Sequence, residues 1–212
     1  MTGKRDGYLA AASIAAGLLA EAAVARQWEQ DSALPAMPVS ALAGHLARQI
    51  FGLEEVLAAG ARAGVPISLT EHYARSAWVE AGLDDEPNVL VRKDGAAEAA
   101  AGPAALAARA RDTLARLAAR LPAEPRELVV LVPWGPWPLT LDDFLVTRMM
   151  EIVVHSDDLA QSVGLPTPLF PADVADAVVV LLARLAARRH GAPAVIRAFS
   201  RAERAPERLT AF

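Results

Sequence analysis

The sequence predicts an all-α fold in which four principal helices form a bundle and a fifth helix follows at the C-terminal end. Three observations lead to this prediction. Hydrophobic residues make up 54% of the 212 residues, and many of them are alanine, the strongest helix former. Apolar residues recur at helical spacing in long segments that proline and glycine separate. At most one or two short segments have the pattern of a β-strand.

Two helices and an irregular segment are predicted in the first half of the chain. Residues 7–31 form the first helix, and two prolines then break the chain before the second helix at residues 39–62. We expect residues 65–102 to form a long, less regular surface segment. Within it the sequence NVLV, residues 88–91, is expected to be briefly extended.

The third helix and a strand candidate follow. Pro103 suits the first turn of a helix, because its missing N–H would have no partner there, and this helix runs to Leu121. The sequence ELVVLV, residues 127–132, is a strand candidate. The proline- and tryptophan-rich residues after it form a loop, and we expect Trp134 and Trp137 either to pack this loop down or to roof a pocket.

The last two helices have recognisable ends. Thr140 followed three residues later by Asp143 is an acceptable capping pair, so the fourth helix begins near Leu141 and ends at Gly164. Pro171 opens a fifth helix, and a short helix and tail follow it. We expect one bundle domain at residues 1–165 and, at residues 166–212, a short helical extension packed on it.

Composition excludes several classes of protein. The chain has no cysteine, so a disulfide framework, a thiolate metal site and a cysteine nucleophile are all impossible. A net charge of −4 argues against nucleic acid as a partner. No segment has the roughly 18 apolar residues of a membrane span. The N-terminus has the outline of a signal peptide, but its alanine-rich run continues unbroken, so we expect an amphipathic helix in a cytoplasmic protein.

The fourth helix carries polar residues at the spacing of a core face. Arg148, Glu151, His155 and Asp158 follow one another at steps of three, four and three residues, so they share one side of the helix. The rest of the helix surface is largely apolar. This pattern indicates a helix inside the bundle whose polar side faces a cavity or a metal ion.

Three of the chain's side chains are candidate metal ligands. Glu151 and His155 are four residues apart and therefore stand one turn apart on one face. His45 lies on the apolar side of the second helix and supplies a third candidate. A divalent cation would remove the cost of burying these groups. Alternatively, His45 is a hydrogen-bonded core histidine and the other two form only a weak ion pair.

The ligand types favour zinc, with nickel, cobalt, manganese or iron as further candidates for two histidines and one glutamate. Asp158 follows His155 by three residues and is expected to orient that imidazole. Two roles are open to Arg148: holding a substrate carboxylate, or pairing with Glu151 or Asp143. His72 has no partner pattern and is interpreted as structural.

Two segments resemble a known family. The sequence VSALAGHLARQI, followed about a hundred residues later by TRMMEIVVHSDDLAQSVGLP, resembles the mycothiol-dependent maleylpyruvate isomerase family, within the broader DinB-like, YfiT-like four-helix superfamily. The resemblance covers roughly residues 5–165. Val39 and Ala41 stand where the family signature has tryptophan and aspartate.

The resemblance implies a DinB-like bundle that binds a divalent metal, usually zinc, through His45, Glu151 and His155. In the family the metal holds a low-molecular-weight thiol as thiolate, which adds to an activated double bond or displaces a leaving group. We therefore expect an enzyme that uses a mycothiol-like thiol for transfer or isomerisation on a small electrophile. A metal-dependent hydrolase at the same site and a non-catalytic metal- or ligand-binding bundle are the alternatives.

The expected partners are a small-molecule substrate and the thiol. No nucleic acid and no membrane are expected as partners. The fifth helix is more apolar than a surface helix requires, so it either packs on the bundle or pairs with a second subunit in a homodimer.

Overall fold

The computed structural model describes residues 3–212 and is 68% helical. In this part of the chain the α-helices are α1 (Lys4–Leu19), α2 (Ala22–Arg26), α3 (Val39–Ala59), α4 (Leu69–Arg75), α5 (Glu86–Ala99), α6 (Pro103–Arg120), α7 (Leu141–Val163), α8 (Ala172–His190) and α9 (Ala192–Ser200). Two strands, β1 (Val129–Leu131) and β2 (Pro138–Thr140), form a small antiparallel sheet. The prediction of a mostly α-helical bundle with at most two short strands is confirmed.

Four long helices form the centre of the fold. Helices α6 and α7 each pack against both α1 and α3, so α6 and α7 occupy opposite corners of the bundle. Helix α5 lies along the outer side of α3. This arrangement places α3 and α7 at neighbouring corners, where side chains from both helices can meet.

The bundle core combines small and large apolar side chains. Helix α1 buries Tyr8 and a row of alanines, whereas α3 and α7 bury larger side chains. The largest fully buried side chains include Tyr8, Phe144, Leu42, Leu46, Ile50, Leu53, Leu139 and Leu145. Each such side chain contributes roughly 1.5–3 kcal/mol through its removal from water. An extensive apolar core therefore holds α7, the helix that carries the polar residues.

The β-hairpin leads directly into α7. Val130 pairs with Leu139 across the two strands, and both side chains are buried. At the end of β2, the Thr140 side chain accepts a hydrogen bond from the Asp143 backbone N–H, as the capping pair predicts. The start of α7 is thereby fixed against the core.

Two predicted elements differ from the structure. The first helix was expected to continue through residues 7–31, but α1 ends at Leu19 because Glu21 has an extended backbone, and α2 restarts the helix. Residues 65–102 were expected to be irregular, with NVLV extended. Instead α4 and α5 form there, and NVLV lies inside α5.

The sequence pattern did not predict helix α5, because its polar and apolar residues do not lie on two separate faces. It begins with Pro87 in its first turn, which favours a helix start. Its position depends on backbone packing: a Cβ atom added at Gly44 of α3 would overlap the carbonyl oxygen of Gly95 of α5. Only glycine at these two positions allows so close an approach of two helices.

The C-terminal helices lie on the bundle. Helix α8 packs against α7 and α1, and α9 packs against α8. Outward-facing apolar side chains on these two helices are Val179, Val180, Ile196 and Phe199. The division of the chain into a bundle at 1–165 and an extension at 166–212 stays a prediction. Among the described residues, no helix is both long enough and apolar enough to cross a membrane.

Candidate metal centre

His45 of α3 and Glu151 and His155 of α7 meet between the two helices. One ligand atom from each residue can be chosen so that all three lie within 4.8 Å of one another. Glu151 Oε2 is 3.5 Å from His45 Nε2 and 3.2 Å from His155 Nε2. The two imidazole rings meet edge to face with centroids 4.7 Å apart. The structure thus brings His45 together with two side chains that lie more than a hundred residues further along the chain.

The backbone explains this convergence. Glu151 and His155 lie one turn apart on α7, so both project toward α3. His45 follows Gly44, at which α5 touches α3, and a Cβ added at Gly95 would lie 3.2 Å from the His45 backbone nitrogen. The helix crossing therefore fixes α3 directly at the residue that carries the third candidate ligand.

The donor atoms fit a divalent cation. Two ligands of a tetrahedral ion at about 2.0–2.1 Å are about 3.3 Å apart. The separations of 3.5 and 3.2 Å around Glu151 Oε2 are close to this value. The three side chains are largely enclosed, with exposed fractions of 13% for His45, 13% for Glu151 and 19% for His155. Two imidazoles and one carboxylate leave at least one coordination position for a small ligand.

Asp158 orients one of the imidazoles. Its Oδ2 lies 2.9 Å from His155 Nδ1, so Nδ1 is the nitrogen that donates to the carboxylate. This assignment leaves His155 Nε2 to face Glu151 and His45. A carboxylate behind a ligating histidine fixes its tautomer and makes it a better ligand. The position of Asp158 is the one expected from the helical spacing.

The surroundings shift the pKa values of His45, Glu151 and His155 in different directions. Burial lowers the pKa of the His45 imidazole, which favours the neutral form. Burial alone would raise the pKa of Glu151, but hydrogen bonds from His155 and His45 outweigh it and hold the pKa well below its usual range. Burial would also lower the pKa of His155, yet hydrogen bonds to Asp158 and Glu151 raise that pKa to about 9. Glu151 therefore stays ionised, and it holds a proton on His155 when no cation replaces that proton.

Arg148 lies one turn before Glu151 and is 8% exposed. Its Nε donates to Thr147 Oγ1 and its Nη1 donates to Gln49 Oε1. The guanidinium also lies over the Trp134 ring, 4.5 Å from the ring centroid. Among the described residues no carboxylate lies within 4.0 Å of Arg148, so the direct ion pair considered for it is not formed. A buried cation without an anionic partner in contact is suited to binding an anion.

Sequence reasoning assigned no role to Gln49. This buried amide donates to the His45 backbone carbonyl at 2.8 Å and accepts from Arg148. It therefore connects the candidate metal ligand on α3 to the guanidinium on α7. Its spacing of four residues from His45, on the same apolar face of α3, is the signal that could have identified it.

His72 was interpreted as structural, and the structure places it beside the site. It is 1% exposed, and its Nδ1 accepts a hydrogen bond of 2.9 Å from Trp137 Nε1. Burial lowers the pKa of His72 to about 4, with a smaller contribution from the charge of Arg148. His72 is therefore neutral near pH 7. Nothing in the local sequence pairs it with a tryptophan 65 positions away.

The tryptophan loop between the two strands packs over this region. Trp137 bonds to His72, while Trp134 covers Arg148 and lies near Phe144. Trp134 is 45% exposed, so the loop closes the region only in part. The aromatic rings therefore pack the loop down, and Trp134 also covers the buried Arg148 side chain.

A comparison with known protein families identifies a match over most of the chain. Residues 9–160 match the family model described as "Mycothiol maleylpyruvate isomerase N-terminal domain". No curated protein and no solved structure matches the chain. The matched segment runs from α1 to near the end of α7 and includes all three candidate metal ligands.

Proposed function

Because the chain belongs to the mycothiol maleylpyruvate isomerase N-terminal domain family, we propose that it is a divalent-metal-dependent enzyme that uses a low-molecular-weight thiol of the mycothiol type. The reaction is thiol transfer to a small electrophilic substrate, or isomerisation of that substrate. The observation that carries the proposal is the convergence of His45, Glu151 and His155 on one point between α3 and α7.

His45 Nε2, His155 Nε2 and Glu151 Oε2 would hold the ion. Zinc is the first choice because imidazole suits it, while nickel, cobalt, manganese and iron accept the same donors. When bound, such an ion supplies a lowered pKa for a thiol or water in its open position, which gives a nucleophile near neutral pH. The absence of cysteine means that the thiol must come from outside the protein.

The protein's own residues prepare the site. Asp158 holds the His155 ring in one orientation, and the crossing of α3 with α5 holds the backbone of His45. Arg148 donates two hydrogen bonds to neutral oxygens and contacts no carboxylate in the described part of the chain, so it provides positive charge for an anionic part of the substrate or thiol. The substrate class that fits is a small, negatively charged electrophile.

Metal content tests the proposal. The purified protein is expected to contain about one ion per chain. His45→Ala and His155→Ala are expected to lose it. His190→Ala is the matched control, because the His190 side chain bonds to the Thr210 carbonyl near the C-terminus. A His155→Ala variant that keeps stoichiometric metal would contradict the proposal.

The nucleophile is tested separately. Thiol binding to cobalt-substituted protein is expected to add a sulfur-to-metal absorption band, because the thiolate enters the open position. A cobalt protein whose spectrum does not respond to thiol would exclude thiol chemistry while leaving the metal site intact. The two remaining alternatives would then be a hydrolase that uses water as the nucleophile and a non-catalytic bundle.

A further inference from the structure

The Tyr73 hydroxyl is a buried donor that the protein does not use. Tyr73 is 3% exposed, and its Oη has no hydrogen-bond partner within residues 3–212. Among the described residues, Ser156 Oγ is the other buried side-chain nitrogen or oxygen without a hydrogen-bond partner. Buried hydroxyl groups normally have partners, because losing water without gaining a hydrogen bond is unfavourable. An unpaired hydroxyl beside the candidate metal ligands suggests that a bound ligand supplies the missing hydrogen bond.

The ring of Tyr73 is held on several sides. It meets His72 and Trp78 edge to face at centroid distances of 4.9 and 6.0 Å, and it lies 5.7 Å from the Phe212 ring. Phe212 in turn packs against Trp78 at 4.8 Å. These contacts restrict the ring, so its hydroxyl cannot turn outward to find water.

Ring contacts connect Tyr73 to the side chain of Arg148. The His72 ring lies 4.9 Å from the Tyr73 ring and 6.2 Å from the Trp134 ring, and Trp134 lies against the Arg148 guanidinium. Burial raises the pKa of Tyr73 far above its usual value, the negative charge of Glu151 raises it further, and the charge of Arg148 acts in the opposite direction. Tyr73 is therefore a neutral hydrogen-bond donor in the same electrostatic environment as a carboxylate and a guanidinium. Neither of these groups is its hydrogen-bond partner in the structure.

We infer that Tyr73 is a ligand-binding residue whose hydroxyl donates a hydrogen bond to an anionic oxygen of the small molecule that Arg148 attracts. The inference rests on the proposed function, since the small molecule is the thiol or the substrate bound beside the metal. Two donors of different kinds would then meet one anion: a buried cation on α7 and a neutral hydroxyl on α4. This arrangement favours a carboxylate or a similar oxyanion over an uncharged group.

The test replaces Tyr73 with Phe, which removes only the hydroxyl. The probe is 3-mercaptopropionate, titrated into cobalt-substituted protein, and 3-mercaptopropanol is the uncharged control probe. Tyr73→Phe is expected to weaken mercaptopropionate binding about 10- to 100-fold, since a hydrogen bond to a charged group is lost. Binding of mercaptopropanol is expected to change less than about twofold. Equal affinity of the variant and the wild type for mercaptopropionate would overturn the inference.

Tyr8→Phe provides a matched comparison in the metal-free protein. Tyr8 is also fully buried, but its hydroxyl donates to the Gln49 backbone carbonyl at 3.0 Å. Thermal unfolding is expected to show a lower Tm for Tyr8→Phe and an unchanged or higher Tm for Tyr73→Phe. Equal losses of Tm in both variants would show that the Tyr73 hydroxyl already has a partner in the protein, and would overturn the inference.

Metal analysis separates the two failures. A wild-type protein that binds no metal would remove the proposed function and this inference together. A wild-type protein that binds cobalt and thiol, with a Tyr73→Phe variant of unchanged affinity, would remove this inference alone.

Discussion

Gly44 of α3 and Gly95 of α5 pass each other in backbone contact, with no room for a side chain at either position. A Cβ atom at Gly44 would overlap the Gly95 carbonyl oxygen, and one at Gly95 would overlap the Ala41 carbonyl oxygen. Because His45 follows Gly44 directly, this contact helps to set the position of a candidate metal ligand.

Gly44→Ala is therefore expected to destabilise the protein by about 1–3 kcal/mol, because α5 must move away from α3. Metal affinity should fall with it, since His45 moves with the backbone. Gly52→Ala is the control: Gly52 lies on the same helix with open space around its Cβ position, and alanine there should stabilise by up to about 1 kcal/mol. Urea unfolding and metal titration measure both effects, and equal stabilities of the two variants would contradict this interpretation.

Asp158→Asn is expected to weaken metal binding about 10- to 100-fold while leaving the fold intact. The amide is a weaker acceptor than the carboxylate for the His155 Nδ1–H, which makes the imidazole a poorer ligand, and it allows the ring to turn. Asp157→Asn is the neighbouring control, because Asp157 accepts a hydrogen bond from Thr167 and does not contact the cluster. The measurement is competition with a chelator of known affinity, and a loss of similar size in the control would show a general charge effect.

Metal uptake at pH 7 is expected to release about one proton per ion. The pKa of His155 is raised to about 9 in the metal-free protein, so this imidazole is protonated at pH 7 and must lose its proton to bind. Metal affinity should therefore increase with pH up to about 9. Calorimetry in two buffers of different ionisation enthalpy counts the protons, and a count near zero would contradict a protonated His155.

The same raised pKa has a consequence for stability without metal. The unfolded pKa of histidine is about 6.5, so the contribution of His155 is fully present below pH 6.5. It is lost as pH rises toward 9. Metal-free protein should thus lose part of its free energy of unfolding between pH 6.5 and 9, whereas His155→Gln should lose less over this interval. Parallel urea unfolding series at several pH values compare the two.

His72 should give the free energy of unfolding the opposite pH dependence. Its pKa is lowered to about 4, so its contribution is present above the unfolded pKa of about 6.5 and is lost as pH falls toward 4. The full effect is at most about 3 kcal/mol. His72→Asn keeps an acceptor for Trp137 but cannot titrate, so its stability should depend less on pH between 6.5 and 4.5. Identical pH dependence in both proteins would show that His72 does not contribute.

Much of the fold could be predicted because helical periodicity and helix ends are local properties. The third and fourth predicted helices, which are α6 and α7 in the structure, begin at Pro103 and Leu141 as predicted. A proline and a capping threonine mark these positions. Helix α5 could not be predicted in this way. It packs against α3 through the Gly44–Gly95 contact, which joins residues far apart in the chain, and glycine lowers the local preference for a helix.

The contacts of the candidate site also fall into two groups: those that local spacing predicts and those that depend on distant segments. Glu151, His155 and Asp158 share one helix face, so their mutual contacts follow from spacing alone. The approach of His45 required only that two apolar helix faces pack together. By contrast, the contacts of His72 and Tyr73 join α4 to the hairpin loop and the C-terminal residues, and no periodic pattern connects such segments. Whether the three clustered residues bind metal stays a prediction.

The separation of the ligands along the chain has a consequence for how the protein matures. His45 is synthesised long before Glu151 and His155, so for about half of its synthesis a growing polypeptide on the ribosome contains only the first of the three candidate ligands. If these residues bind a cation, its capture must wait until α7 has emerged and docked beside α3. The bound ion would then link two distant parts of a finished chain, and a cell short of the cation would accumulate completed but unloaded copies.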